Sequence, residues 1–206
     1  MSGIAGTGCE RIIPTEEKKP LEEIEKSIIK RYRKPIWSKF IKAIKQYDLI
    51  QDGDKVAVAI SGGKDSLLMA KCFQQLQRYS DVKFDLEFIA MDPGYHPQIK
   101  ALHKENLDYL GIPAHIYDSK IFEVIDKKAQ DYPCYLCARM RRGSLYEKAK
   151  ELGCNKLALG HHYNDVIETT MLNILYAGNF KTMLPKLKSQ NFEGIELIRP
   201  LYLIEE

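Results

Sequence analysis

Between Leu21 and Ile50 the apolar residues Ile29, Trp37, Phe40, Ile41, Ile44 and Tyr47 recur mostly three or four positions apart. That spacing predicts helix, and Pro35 falls where the helix must break or kink into two. Trp37 and Phe40 lie on the apolar stripe, which assigns them to the core. After the turn at 51–54 the pattern changes. KVAVAIS, 55–61, is a short apolar run with β-branched residues and predicts a buried strand. Residues 65–79 return to helical spacing, with Leu68, Cys72 and Leu76 facing inward. Further strands are predicted at 84–92, 114–119, 156–161 and 194–202, and helices at 97–111, 121–131, 142–154 and 164–178. Strand and helix alternate almost strictly through short Gly-containing connections. That order predicts an α/β fold: a doubly wound, mainly parallel five-stranded sheet with helices on both faces. Residues 1–20, rich in Gly, Pro and charge, predict a flexible arm. The expected organisation is then the arm 1–20, a basic helical segment 21–50 and an α/β domain 51–206. There is no internal repeat and no low-complexity tract.

Composition changes this picture little. The 206 residues are 45% hydrophobic and 29% charged, ordinary for a soluble globular protein. No run approaches the roughly 18 consecutive apolar residues of a membrane helix, so no membrane partner is expected. The first twenty residues lack the apolar core of a signal peptide, which makes the cytoplasm the expected location. Thiols stay reduced there, and an odd count of five cysteines argues against a disulfide framework. Charge is uneven although the net is only +3: eight basic residues and no acidic one lie between Lys26 and Lys45. Such a block is usually a solvated helix face; with other evidence it becomes a nucleic-acid footprint.

In a doubly wound sheet, ligands sit beyond the carboxyl ends of the strands near the point where strand order reverses. The residues after each predicted strand are therefore the candidates. The first strand runs into SGGKDS, Ser61 to Ser66, and then a helix. Gly62 and Gly63 let the backbone turn and expose its N–H groups, and the helix N-terminus adds partial positive charge, a cradle for phosphate. Lys64 adds a point charge, and Ser61 and Ser66 add hydroxyls. Asp65 in an anion site implies Mg²⁺ bridging it to phosphate. The spacing matches neither G-x-x-x-x-G-K-[ST] nor G-x-G-x-x-G. A plain capped strand–helix turn is the alternative. MDPGY, 91–95, ends the second strand, where exposed backbone at Met91 could read a base edge. LGHHYND, 159–165, ends the fourth, with Gly160 allowing close approach and His161 and Asp165 facing the pocket mouth. The adjacent His162 reads as surface. DYPCYLCARMRRG, 131–143, holds Cys134 and Cys137 three apart, followed by Arg139, Arg141 and Arg142. A thiol pair of this kind suits a metal or redox site, or a helix start with two small buried residues. Cys72 and Cys154 fall on predicted core faces.

SGGKDS after a strand with GHxxxD after a later one resembles the PP-loop ATP pyrophosphatase superfamily. The further PCYLCARMRRG and the RPL segment 199–201 are similar to its tRNA 2-thiocytidine biosynthesis family. The likeness runs from about the basic helix to the C-terminus. It implies the adenine nucleotide alpha-hydrolase-like PP-loop fold and a tRNA sulfurtransferase. Such an enzyme adenylates the C2 carbonyl oxygen of an anticodon-loop cytidine, replaces it with sulfur, and releases AMP and pyrophosphate. ATP would bind at Ser61, Gly62, Gly63, Lys64, Asp65, Ser66, Met91, Gly160, His161 and Asp165, with Mg²⁺. Lys64, Asp65, Cys134 and Cys137 would be catalytic, and Cys134 and Cys137 would be ligands of a [4Fe–4S] cluster. Arg139, Arg141 and Arg142, with Lys30, Arg31, Arg33 and Lys34, would grip tRNA. The implied partners are tRNA and a sulfur donor, either sulfide or a persulfide-carrying protein, with a homodimer as one expected assembly. The family pattern sets a third cluster cysteine beyond RPL, and none follows up to Glu206. The chain is then expected to be a piece of a longer protein or a departure from the pattern. The rival readings are a PP-loop ligase or amidotransferase-type enzyme without a cluster, a nucleotide-binding module with a zinc-held thiol pair, and a CxxC oxidoreductase. The last fits poorly, because the pair does not follow the first strand.

Overall fold

The apolar run after residue 54 forms β1 (Lys55–Ile60), and its composition puts it at the centre of the sheet. In the computed structural model, which describes residues 18–119, 121 and 133–206 with all side chains except those of 133–135, both faces of β1 are covered. Val56, Val58 and Ile60 pack into one core with α3 (Lys64–Tyr79), while Ala57 and Ala59 pack into a second core with α5 (Pro133–Glu151). β2 (Asp85–Asp92) splits the same way, with Phe88 and Ala90 in the first core and Ile89 in the second. Alternate residues thus bind helices on opposite faces, the signature of a doubly wound sheet.

The remaining strands are β3 (Ala114–Asp118), β4 (Lys156–Ala158), β5 (Lys186–Lys188) and β6 (Glu196–Ile198). The strand order is β3-β2-β1-β4-β6-β5. Every pairing is parallel except β5–β6, which is antiparallel. The five strands read from the sequence are present. The sixth, Lys-Leu-Lys at the edge, is too short and too polar to announce itself. Strand order reverses between β1 and β4, and a crevice opens beyond the carboxyl ends of these two strands.

The other helices are α1 (Leu21–Ile29), α2 (Ser38–Gln46), α4 (Pro97–Tyr109) and α6 (Tyr163–Leu175). Pro35 breaks the first predicted helix by way of a π-helical turn, Arg33–Trp37. There the Trp37 N–H donates to the Tyr32 carbonyl at 3.4 Å, five residues back, so the ladder widens around the residue that has no N–H. Past the turn, fully buried Phe40 meets Phe73 of α3 edge-on at 5.6 Å. α1 is held to α3 by a buried ion pair: Lys71 Nζ lies 2.6 Å from Glu25 Oε1, and Arg78 lies 2.6 Å from the other carboxylate oxygen.

α5 begins at Pro133, nine residues before the predicted start at Arg142. It touches different surroundings on each side and so carries no single apolar stripe to mark its first turns. The predicted helix 121–131 lies outside the described residues, save Ile121, which is buried. Residues 1–17 of the predicted arm, with Cys9, also lie outside them. No helix among the described residues is long and apolar enough to cross a membrane.

Candidate active site

Beyond Ile60 the chain turns through Ser61, Gly62 and Gly63 into α3. Gly62 has φ of 89°, a conformation that only glycine adopts without strain. One hydroxyl ties the turn together: Ser66 Oγ accepts from the Ser61 N–H at 3.2 Å and donates to the Gly63 carbonyl at 2.9 Å. The first-turn N–H groups of α3, which have no intrahelical acceptor, are left facing the crevice. Lys64 Nζ lies 2.6 Å from Glu206 Oε1 and 3.7 Å from Asp65 Oδ2. The neighbouring Glu205 pairs with Lys39 of α2 at 2.6 Å, so adjacent glutamates tie the basic segment to the phosphate loop.

Against this loop sits the turn after β4. A Cβ on Gly160 would lie 3.3 Å from both the N and Cα of Ser66, which are backbone atoms with little freedom to yield. The next residues cap α6. His162 is the N-cap: its Nδ1 accepts from the Asp165 N–H at 3.4 Å, and Asp165 Oδ2 accepts from the His162 N–H at 2.7 Å. His162 is therefore a buried structural residue lining the cavity, not the surface residue its position suggested. His-x-x-Asp departs from the usual Ser/Thr-x-x-Glu/Gln signature of a capping box, so the cap did not announce itself in the sequence. His161 points elsewhere and leaves a buried Nδ1 with no partner among the described residues. Burial pulls its pKa from the ordinary histidine value to about 4, assisted by Arg199 and Arg142 and opposed by Asp165. At neutral pH the imidazole carries no charge.

The crevice is a cavity of about 320 Å³ whose walls include Ser61, Asp65, Met91, Arg141, His161 and Asp165. Arg141 reaches it from α5 and donates through Nη2 to the Tyr95 hydroxyl at 2.7 Å, linking α5 to the loop after β2. Asp92 holds that loop, accepting from the Gly94 and Tyr95 N–H groups at 2.9 and 2.8 Å and pairing with Lys100. Burial alone would push the Asp92 carboxyl up, but Lys100 and the two N–H groups hold it below the ordinary carboxylate range. Tyr95 and Leu145 were not singled out from the sequence, since neither type at those positions signals chemistry.

Cys137 lies one helical turn, about 6 Å along the axis, before Arg141. It is a free, half-buried cysteine that packs against the cluster of Met91 and Ile121. The side chain of Cys134 lies outside the described residues. Cys72 and Cys154 are core residues, as expected, and burial pushes their thiols up to about 12 and about 11. Neither is available as a thiolate ligand. Of the predicted nucleotide residues, Ser61, Gly63, Asp65, Ser66, Met91, Gly160, His161 and Asp165 line one cavity with Arg141, while Gly62 and Lys64 belong to the same loop but not to its walls. Arg139 and Arg142 line a different one, and Lys30, Arg31, Arg33 and Lys34 are exposed along the N-terminal helical segment and line neither.

Two outcomes follow from this geometry. Gly160→Ala forces the α3 backbone away from the β4 turn at a cost of about 1–3 kcal/mol, so ATP affinity measured by calorimetry falls by about tenfold or more while the helical circular dichroism is retained. An unchanged affinity would show that the close approach does not set the site. The His161 ring resonances should not titrate until near pH 4. Because the unfolded chain takes up this proton first, near pH 6.5, His161 contributes stability that is fully present above that pH. It is lost progressively as pH falls to about 4. A wild-type ring titrating near 6.5 in the NMR spectrum contradicts this.

The sequence profile of the PP-loop domain matches residues 33–206. Among curated proteins named tRNA-cytidine(32) 2-sulfurtransferase, that of Citrifermentans bemidjiense is 41% identical over 168 residues, covering 80% of this chain and 65% of that protein. The Colwellia psychrerythraea protein of the same name is 38% identical over 97% of this chain and 63% of its own length. The Geobacter metallireducens one is 39% identical over 86% of this chain and 69% of its own. The chain thus spans less than two thirds of the length of the first two. Among solved structures, the U34-tRNA thiolase NcsA from Methanococcus maripaludis, solved with its [4Fe-4S] cluster, is 28% identical with a TM-score of 0.65, over 82% of this chain and 59% of that one. With the domain profile spanning most of its length and relatives near 40% identity, this chain belongs to the PP-loop domain family, within the family of the tRNA-cytidine(32) 2-sulfurtransferases.

Proposed function

We propose that this protein uses ATP to replace the C2 carbonyl oxygen of cytidine 32 in tRNA with sulfur, releasing AMP and pyrophosphate. One observation carries the reading: the loop 61–66 and the Arg141 face of α5, one turn from Cys137, meet across a single cavity. The relatives bearing the corresponding name support the choice of substrate.

The loop N–H groups and the N-terminus of α3 receive the β- and γ-phosphates, and Lys64 exchanges its carboxylate partner for phosphate. Asp65 and Asp165 are the carboxylates that would hold Mg²⁺ beside them. The cytidine O2 attacks the α-phosphorus and pyrophosphate leaves. That step gains from positioning and fixed charge. Arg141, oriented by Tyr95, faces the negative charge that develops on the phosphate. Neutral His161 offers hydrogen bonding without repelling the cations around it. A hydrosulfide-level sulfur then adds to C2, AMP departs with the oxygen, and a proton is lost.

A [4Fe–4S] cluster would take two of its thiolate ligands, Cys134 and Cys137, from α5. Among the described cysteines Cys137 alone is outside the core, and Cys134 precedes it by one turn of the same helix. Arg141 offsets the negative charge that thiolate-ligated clusters carry. When bound, the cluster would supply an iron at which sulfur is held. The sulfur donor is sulfide, or a persulfide-carrying protein whose terminal sulfur is released as hydrosulfide by an external thiol that is left as a disulfide, and the reducing cytoplasm is the compartment that suits both thiols and tRNA. A homodimer is the proposed assembly. Ile167, Met171, Leu175 and Phe180, exposed on α6 and the segment after it, are the apolar residues that such an assembly would cover.

The test is a pair of variants assayed after anaerobic purification. Asp65→Ala should cut pyrophosphate release by at least about a hundredfold with an unchanged melting temperature. Cys137→Ala should abolish 2-thiocytidine in digested tRNA while leaving ATP affinity intact. Full thiolation by Cys137→Ala would make the thiol pair structural and favour a cluster-free PP-loop ligase.

A further inference from the structure

Helix α5 divides its basic residues between two places. Arg141 and Leu145, four apart, face the ATP cavity. Arg139, Arg142 and Tyr146, at i, i+3 and i+7, line a second cavity of about 780 Å³ closed by Ser189, Asn191 and Phe192 of the β5–β6 turn. The run of arginines after Cys137 is therefore not one patch.

The second cavity is a constructed site. Tyr146 is buried and stacks on Phe192 with ring centres 4.9 Å apart and planes within 6°. Ser189 Oγ accepts from the Phe192 N–H at 3.0 Å and hydrogen-bonds the Tyr146 side chain, fixing the turn against the helix. Its charge is uncompensated. Arg142 is close enough to Arg199 and Tyr146 to perturb both, and among the described residues no carboxylate pairs with Arg139, Arg142 or Arg199. Arg199 is 5% exposed; it donates to the Leu184 carbonyl, and its Nε has no partner. A buried cation beside a second cation raises the local positive potential, which a bound anion would offset.

We propose that this second cavity is an RNA subsite, in which Arg139 and Arg142 hold a backbone phosphodiester next to the modified nucleotide and Phe192 stacks that neighbour's base. The inference rests on the tRNA reading above. Guanidinium forks suit phosphate oxygens, and aromatic faces beside arginine are how unstacked nucleotides of single-stranded RNA are gripped. ATP is the lesser claimant, since its phosphates already have the loop 61–66 in the first cavity. Consecutive residues, Arg141 and Arg142, serve the two cavities, so a strand that places one nucleotide in the first runs past the second.

The experiment measures binding of a tRNA anticodon stem-loop by fluorescence anisotropy over a range of salt, with ATP affinity and melting temperature alongside. Wild type, Arg142→Gln and Phe192→Leu are compared. Arg142→Gln should weaken RNA binding about tenfold and reduce the slope of log affinity against log salt by about 1. Phe192→Leu, which keeps apolar packing under the turn, should weaken it about fivefold or more with an unchanged slope. ATP affinity should be spared in both. Variants that bind RNA as wild type does, with the same salt slope, overturn the subsite and leave the tRNA reading standing. Loss of affinity for ATP or pyrophosphate in Arg142→Gln, with RNA binding intact, assigns the cavity to free phosphates and overturns it too. A wild type that binds no RNA overturns the tRNA reading and the subsite with it.

Discussion

The approach of Gly160 to the first turn of α3 is the constraint on which the site depends. The space where a Cβ would stand is occupied to within 3.3 Å by Ser66 backbone, so the β4 turn and the phosphate loop touch without a side chain between them. Everything placed after Gly160 inherits that distance: His161 enters the cavity, and His162 and Asp165 lock each other at the start of α6. The contact falls where strand order reverses, the one place in a doubly wound sheet where helices leave on opposite faces and a crevice stays open.

Around that crevice the protein balances charge in two ways. On the β2 side, carboxylates and cations are paired: Asp92 is satisfied by Lys100 and by two N–H groups of the loop it shapes. On the α5 side the guanidinium groups have no carboxylates among the described residues. Arg141 is aimed by the Tyr95 hydroxyl, and Arg142 and Arg199 share a neighbourhood whose His161 is kept uncharged. Paired charge shapes a scaffold, whereas unpaired charge with burial around it accommodates an anionic guest. The division suits the substrates proposed above, ATP and RNA, which both carry negative charge.

The thiols sort by burial into two chemical classes. Cys72 and Cys154 sit in the two cores, where an ionised sulfur would be poorly solvated, and they act as small apolar fillers. Cys137 lies at the edge of a small cluster with Met91, which is itself a wall of the first cavity. Sequence spacing alone gives a CxxC pair several roles, and the placement of α5 against β2 is what sets Cys137 one helical turn from Arg141 of the first cavity.

Much of this protein was legible before folding. The apolar run 55–60 with a Gly-Gly turn and a helix after it can form only one kind of local structure, because backbone sterics and helix end effects act over a few residues. The alternation of strands and helices likewise pointed to a mainly parallel doubly wound order, though not to the antiparallel edge strand β5. Tertiary structure decided what depends on neighbours distant in sequence. His162 became a buried cap instead of a surface residue, and Arg199 became a buried cation whose partners come from α5 and from the segment before β5. α5 shows three faces to three environments, so its pattern averages to nothing in one dimension, and adjacent arginines went to separate cavities. Local propensity is written residue by residue, but burial and shared charge exist only once the chain has brought its parts together.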